Sequence, residues 1–232
     1  LHTIVDNIPH DENIIVCAAK QLQNNTGCIL GADIWLEKNL PIGGGLGGGS
    51  SNAATTLKAL NILWALNWSD QQLADLGLTL GADVPVFVLG NAAFAEGIGE
   101  KLTPINLTEP WFLVTKPSVS INTKQIFLDP ELTRNTPAIK VPNLLAGALY
   151  KNDCQKVVER RYPEVQQALS LMSQFTACQL TGTGSCIFGC FQNHKDADKI
   201  REKLSTKLPF CFVAKGRNVS LLHRTIKNYK SK

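Results

Sequence analysis

Six of the seven residues from Gly43 to Gly49 are glycine, in the run Pro41-Ile42-Gly43-Gly44-Gly45-Leu46-Gly47-Gly48-Gly49-Ser50-Ser51. Holding one glycine in a single conformation costs about 0.5–1 kcal/mol relative to alanine, so the run costs roughly 3–6 kcal/mol. A connecting turn needs one or two glycines. A backbone that must approach another group closely needs more, and successive N–H groups without Cβ atoms form a concavity that binds anions. Helix-like sequence follows the run. A helix start carries unsatisfied N–H groups and about half a positive charge, which suits phosphate. Ser50 and Ser51 fit the N-cap, and their hydroxyls can also reach a phosphate oxygen or a metal.

The surroundings exclude two common phosphate loops. No lysine precedes Ser50, so the Walker A pattern is absent. The pattern G-x-G-x-x-G matches at Gly43, Gly45 and Gly48. It is followed by two helical runs, Ser50–Leu66 and Ser69–Leu80, where a dinucleotide fold needs a second strand ending in an acid.

Two further motifs carry candidate chemistry. Asp83, in Gly81-Ala82-Asp83-Val84-Pro85, is the single acid of the apolar stretch LGLTLGADVPVFVLG. It reads either as a turn or cap residue or as a base or metal ligand, since a lone buried carboxylate is costly without a partner or a role. Leu180-Thr181-Gly182-Thr183-Gly184-Ser185-Cys186 is short, glycine-spaced and rich in hydroxyls. It reads either as a tight hairpin or as a second phosphate-contacting loop.

These motifs need a frame, and periodicity supplies one. Asp11 is placed to cap a helix over Glu12–Gln23, with Ile14, Ile15, Ala18, Ala19 and Leu22 as its apolar face. A strand is expected over Asp33–Leu36. Ala53, Leu57, Leu60 and Trp64 make one stripe on the helix after the glycines. Ser69-Asp70-Gln71-Gln72 is a capping box for the next. Val84–Leu89 and Ala92–Glu96 read as strands, and Gly97–Glu100 as a tight turn. The polar segment Thr103–Pro110 reads as a linker. Beyond it a strand is expected over Trp111–Thr115, then helices near Leu144–Tyr150, Asp153–Arg160 and Glu164–Gln174. A hairpin of Ala177–Thr181 and Cys186–Phe191, a helix over Lys195–Leu204 and a strand over Phe210–Lys215 complete the second half. Strands mixed with helices in both halves indicate an α+β or α/β protein.

Composition narrows the function classes. The 232 residues suffice for one large or two modest domains. Charged residues are 18% and the net charge is +4, with no lysine/arginine run to follow a nucleic-acid backbone. The basic residues Arg224, Lys227, Lys230 and Lys232 read as a solvated end. No apolar stretch reaches the span of a membrane helix, and no leader pattern opens the chain. Seven cysteines, an odd number without C-x-x-C, and four scattered histidines indicate buried, reduced thiols of a cytoplasmic protein and no zinc site.

The segments LPIGGGLGGGSSNAAT, GLTLGADVPVFVLGNAAFAEGIGE, IFLDPELTRNT, LTGTGSCIF and FVAKGRNVSLLH together resemble the GHMP kinase superfamily, over nearly the whole chain from Asp11 to His223. The resemblance implies an α+β, two-domain fold. Residues 1–107 would form an N-terminally incomplete, ribosomal protein S5-like, ATP-binding domain, and residues 108–232 a ferredoxin-like C-terminal domain. It implies ATP as co-substrate and Mg²⁺-assisted phosphoryl transfer to a hydroxyl of a small molecule bearing a cytidylyl group, with no nucleic-acid or membrane partner. Asp83 would be the catalytic residue that takes or orients the hydroxyl proton. Pro41, Gly43, Gly44, Gly45, Leu46, Gly47, Gly48, Gly49, Ser50 and Ser51 would hold the ATP phosphates, with Asn13 and Lys38 near the nucleoside. Phe127, which by itself reads as core packing, would stack on the substrate cytosine, with Thr123, Gly182, Thr183 and Gly184 also on the substrate. No side chain is assigned to a metal. Family members carry a further N-terminal segment with a lysine that assists transfer and a tyrosine–histidine motif for the cytosine. Neither motif occurs here, so a truncated, non-catalytic nucleotide-binding fragment stands as one alternative and a homoserine- or mevalonate-type kinase as another. The choice between monomer and homodimer is open.

Overall fold

The computed structural model describes residues 1–3, 8–139, 141–142 and 151–230, the last without its side chain. The helix expected over Leu144–Tyr150 lies outside the described residues. The chain forms two compact units. One comprises Leu1–Leu40, Gly47–Asn106 and Arg217–Lys232, the other Pro41–Leu46 and Leu107–Gly216.

In the first unit, β1 (His2–Thr3) pairs in parallel with β2 (Trp35–Leu36), so the strand expected from Asp33 is shorter than the apolar run suggested. The first helix, α1, is Ile14–Thr26 and its cap is Asn13, whose side chain accepts from Ile15 N at 3.0 Å. Asp11 is therefore not the cap. It sits in a short 3-10 turn, His10–Glu12, and accepts from Lys20 Nζ at 2.8 Å. Helix α2 (Gly48–Leu63) starts two residues before Ser50, on Gly47 as N-cap with φ +65° and no side-chain cap. Ser50 and Ser51 lie inside the helix rather than at its cap, because the left-handed Gly47 turns the chain into the helix earlier. A Cβ at position 47 would lie 2.7 Å from Phe87 Cζ, so packing as well as φ requires glycine there. The predicted stripe holds: Ala53, Leu57, Leu60 and Trp64 are all buried.

Helix α3 (Asp70–Leu80) opens on the predicted capping box of Ser69 and Gln72. The β-branched run Val84–Leu89 is not a strand but helix α4. Pro85 suits a first turn, where its missing N–H is no loss. Val84 and Val88, one turn apart, are both fully buried, and Gly90 ends the helix at φ +66°. Packing here overrides β propensity. β3 (Ala93–Glu96) and β4 (Lys101–Pro104) form an antiparallel hairpin around the predicted turn, so Thr103 and Pro104 belong to a strand and irregular chain begins after them.

The second unit is a four-stranded antiparallel sheet in the order β6-β7-β5-β8, from β5 (Trp111–Lys116), β6 (Cys178–Leu180), β7 (Ile187–Phe191) and β8 (Phe210–Lys215). Its helices are α5 (Thr123–Phe127), α6 (Asp153–Arg161), α7 (Pro163–Ser173) and α8 (His194–Ser205). Leu113, Leu180 and Ile187 of the sheet and Val158, Val165, Met172 and Leu204 of the helices share one core.

Of the C-terminal basic residues, Arg224 and Lys227 are exposed, as a solvated end requires, but they are carried on a helix. Helix α9 (Leu221–Lys230) belongs to the first unit, where Val219 bridges to Asn91. Buried Lys58 of α2 donates to Asp70 Oδ1 (2.9 Å) and Val88 O (3.2 Å), and its Nζ lies 3.1 Å from His223 Nε2 of α9. All seven cysteines are free, but only Cys186 is buried and Cys190 is exposed.

Candidate functional site

The glycine run divides into two groups by what surrounds each residue. In the second unit, the segment Pro41–Leu46 pairs with the loop between β6 and β7. Cys186 N donates to Gly44 O at 3.1 Å, and Thr181 Oγ1 donates to Gly45 O at 2.6 Å. Gly45 has φ +71°, and a Cβ there would fall well inside van der Waals contact of Thr181 O and 3.1 Å from Gly184 O. Gly44 and Gly45 are thus required by a neighbouring loop of the protein. Gly184 N donates to Thr181 O, which closes the second loop on itself, and Ser185 Oγ donates to Val119 O, in the chain that follows β5. Thr183 is buried, with its Oγ1 2.8 Å from Thr123 Oγ1, so Thr123 lies against the loop that carries Gly182, Thr183 and Gly184.

In the first unit, Gly48 and Gly49 open α2 with nothing among the described residues requiring their size. A Cβ on Gly49 would meet only Ile14 Cγ2 at 4.0 Å, and one on Gly48 the mobile end of Lys38, Nζ at 3.3 Å. A glycine in a helix costs about 1 kcal/mol relative to alanine. The bare backbone at this helix start, beside an ammonium group and the capped start of α1, is suited to an anion. Lys38 and Gly47–Ser51 are brought together here, and Asn13 lies next to Ile14. Asn13 has an evident structural role as the α1 cap.

Asp83 is exposed, not buried as its apolar flanks suggested. It stands at the N-cap of α4, and its side chain makes no capping hydrogen bond. The apolar residues around it point the other way, Val84 and Val88 being fully buried. The carboxylate is therefore held by a rigid element and left open.

Phe127 is also not a core residue: it is 55% exposed, while its neighbour Ile126 is fully buried. The turn that follows is organised by Asp129, which the sequence reading did not single out. Asp129 is buried and accepts from Arg160 Nη2 (3.0 and 3.1 Å), Arg161 Nε (2.6 Å) and Glu131 N (2.9 Å). Burial alone would push its carboxyl up, but the hydrogen bonds and charges of the two arginines outweigh it and hold it below its ordinary value of 3.8. Its contribution to stability is complete above that pH and is lost as the pH falls through the lower folded value. Asp129→Asn should lower the Tm at neutral pH by several degrees. Its Tm should also fall less steeply than that of the wild type between about pH 5 and about pH 2, measured by thermal melts.

Asn152 was missed as well. It caps α6 by accepting from Cys154 N at 2.9 Å, and its Nδ2 donates to Leu180 O (3.0 Å) and Gly182 O (2.7 Å), tying the hydroxyl-rich loop to a helix. The Asn-Asp pair before a helical run was the available signal. Among the described residues, no group of three or more His, Cys, Asp or Glu side chains is placed to hold a metal ion. No helix among them is long and apolar enough to cross a membrane.

Comparison with known proteins adds independent findings. The pattern described as GHMP kinases N terminal domain matches residues 13–91, and that described as GHMP kinases C terminal matches residues 137–209. The chain is 61% identical over 226 residues to 4-diphosphocytidyl-2-C-methyl-D-erythritol kinase of Pseudomonas syringae pv. syringae (strain B728a), covering 97% of this chain and 79% of that protein. A crystal structure of 4-(cytidine 5'-diphospho)-2C-methyl-D-erythritol kinase matches with a TM-score of 0.81 at 30% identity, over 93% of this chain and 82% of that one. A homoserine kinase from Cytophaga hutchinsonii ATCC 33406 matches with a TM-score of 0.65 at 18% identity, over 94% of this chain and 81% of that one, a likeness of fold alone.

Proposed function

We propose, from the premise that the chain belongs to the GHMP kinases and is a small-molecule kinase, that it phosphorylates the 2-hydroxyl of 4-diphosphocytidyl-2-C-methyl-D-erythritol. ATP is the co-substrate, and the reaction belongs to the non-mevalonate route to isoprenoid precursors. The observation that carries the substrate is the 61% identity over 97% of the chain. The observation that supports the nucleotide is the bare start of α2 at Gly48 and Gly49 beside Lys38.

The roles follow from the chemistry each group offers. Phosphoryl transfer asks little covalent chemistry of a protein and much positioning and charge stabilisation. Fixed N–H groups of Gly43–Ser51 supply such stabilisation without reorganising, and Lys38 adds a charge; Asn13 lies toward the nucleoside. Asp83, open and free of a capping bond, accepts the proton of the substrate hydroxyl or orients it. Phe127 stacks on the cytosine, and Thr123, Gly182, Thr183 and Gly184 hold the substrate beside it. A Mg²⁺ ion brought by the nucleotide would offset the charge of its phosphates. The first unit, most of residues 1–107 with the C-terminal helix α9, serves the nucleotide, and the second, most of residues 108–232, completes the kinase. The protein works in the cytoplasm, without nucleic-acid or membrane partners.

A substrate panel tests this reading. With ATP and Mg²⁺, ADP release is expected with the cytidylyl substrate and not with homoserine or mevalonate. Turnover confined to either of those would overturn the substrate. ATP binding without any turnover would make the chain a nucleotide-binding fragment.

A further inference from the structure

We infer that Arg134 is a positioning residue for recognition of the substrate's base, acting through Phe127; this rests on the reading that Phe127 stacks on that base. A large apolar ring left 55% exposed loses the burial that would otherwise orient it. Its helix, α5, has five residues, too few to hold itself together. At the N-terminal end Asn122 caps it, accepting from Gln125 N at 3.3 Å. At the C-terminal end the support is Arg134.

Arg134 Nη2 donates to Phe127 O at 2.5 Å, and Nη1 donates to Leu132 O at 2.9 Å and Asp129 O at 3.3 Å. The guanidinium is planar and presents its donors in a fixed fork. Three carbonyls tied to one rigid fork set the direction in which the chain leaves Phe127, and with it the direction of the ring. The turn gripped by the fork is itself pinned. Asp129 is buried beneath it on Arg160 and Arg161, and Arg160 also pairs with Glu131. A lysine has the charge but not the fork, so it cannot hold the three carbonyls in one fixed arrangement. Arg134 itself touches no reacting atom; it fixes the surface on which a base stacks.

The test is a double-mutant cycle of Arg134→Gln and Phe127→Ala, with Arg134→Lys as a second probe. The readouts are KM for the cytidylyl substrate, KM for ATP, kcat, and affinity for cytidine monophosphate by calorimetry. Arg134→Gln is expected to raise substrate KM and the cytidine monophosphate Kd about tenfold, as Phe127→Ala does, because a base–aromatic stack is lost or misaligned. KM for ATP and kcat should stay within about threefold of wild type, the split that marks lost ground-state binding. In the Phe127→Ala background, Arg134→Gln should add less than about twofold, since it acts through the ring. Arg134→Lys should raise substrate KM by an intermediate factor, and it carries the test if the glutamine variant does not fold. Equal KM effects of Arg134→Gln in both backgrounds would overturn the inference, as would a fall in kcat alone, the mark of a merely structural role. A silent Arg134→Gln beside an effective Phe127→Ala overturns only the role of Arg134. A silent Phe127→Ala overturns the stacking reading, and the role of Arg134 with it.

Discussion

Asp83→Asn is expected to lower kcat by about 10²–10⁴-fold, the usual contribution of a positioned acid–base group, while the Kd for ATP stays within a few-fold and the Tm hardly moves. The structure makes this a clean experiment. Asp83 is exposed and its side chain makes no capping bond, so the folded protein loses no contact when its charge is removed. Asparagine suits an N-cap as well as aspartate does. The anchoring of α4 rests instead on Val84 and Val88, which are fully buried and untouched by the change. Activity lost without stability therefore reports chemistry. Steady-state kinetics with the cytidylyl substrate and calorimetry with ATP decide it. Turnover within tenfold of wild type would remove Asp83 from the catalytic role.

Gly45→Ala should be the most damaging change in the glycine run. Alanine at φ +71° costs about 1–2 kcal/mol by itself. Its Cβ would also collide with Thr181 O, which is backbone and cannot swing away. The pairing of the two loops through Gly44 O and Gly45 O would have to break. The expected outcome is a Tm lower by on the order of 5–10 °C and ATP binding weakened by more than tenfold. Gly49→Ala gives the opposite combination. Among the described residues nothing meets the new methyl closer than 4.0 Å, and alanine is the better helix former by up to about 1 kcal/mol. Thermal stability should hold or rise while KM for ATP rises, because the methyl would stand where phosphate approaches the backbone. Thermal melts and ATP titrations of the two variants separate glycines that serve the fold from glycines that serve the ligand. An unchanged KM in Gly49→Ala would take the helix start out of the nucleotide site.

That separation was not legible in the sequence, where the six glycines look alike. What could be read was whatever is local. The α2 stripe, the capping box at Ser69, the Gly97–Glu100 turn and the β6–β7 hairpin each depend on residues a few positions apart, and each is in the structure. What could not be read depends on partners far along the chain. Val84–Leu89 carries strand-like residues but is a helix, because two of its valines fit a core that the sequence does not display. Asp83 has apolar neighbours on both sides in sequence, yet those neighbours turn inward and leave it outside, at the N-cap of α4. Asp129 meets Arg160 and Arg161 from 31 and 32 residues away, and no periodicity announces a pair at that separation. Phe127 looked like core because an isolated aromatic usually is; its exposure follows from Ile126 taking the buried side of a five-residue helix.

The return of α9 to the first unit bears on how the protein is made. Lys58 and His223 stand 165 residues apart in sequence. A ribosome adding about 5–20 residues per second reaches the second on the order of ten to thirty seconds after the first. Leu107–Gly216, nearly all of the second unit, is translated within that interval. The half of the molecule synthesised first is thus the last to be closed, and on the nascent chain the ammonium of Lys58 waits without the imidazole that will cover it.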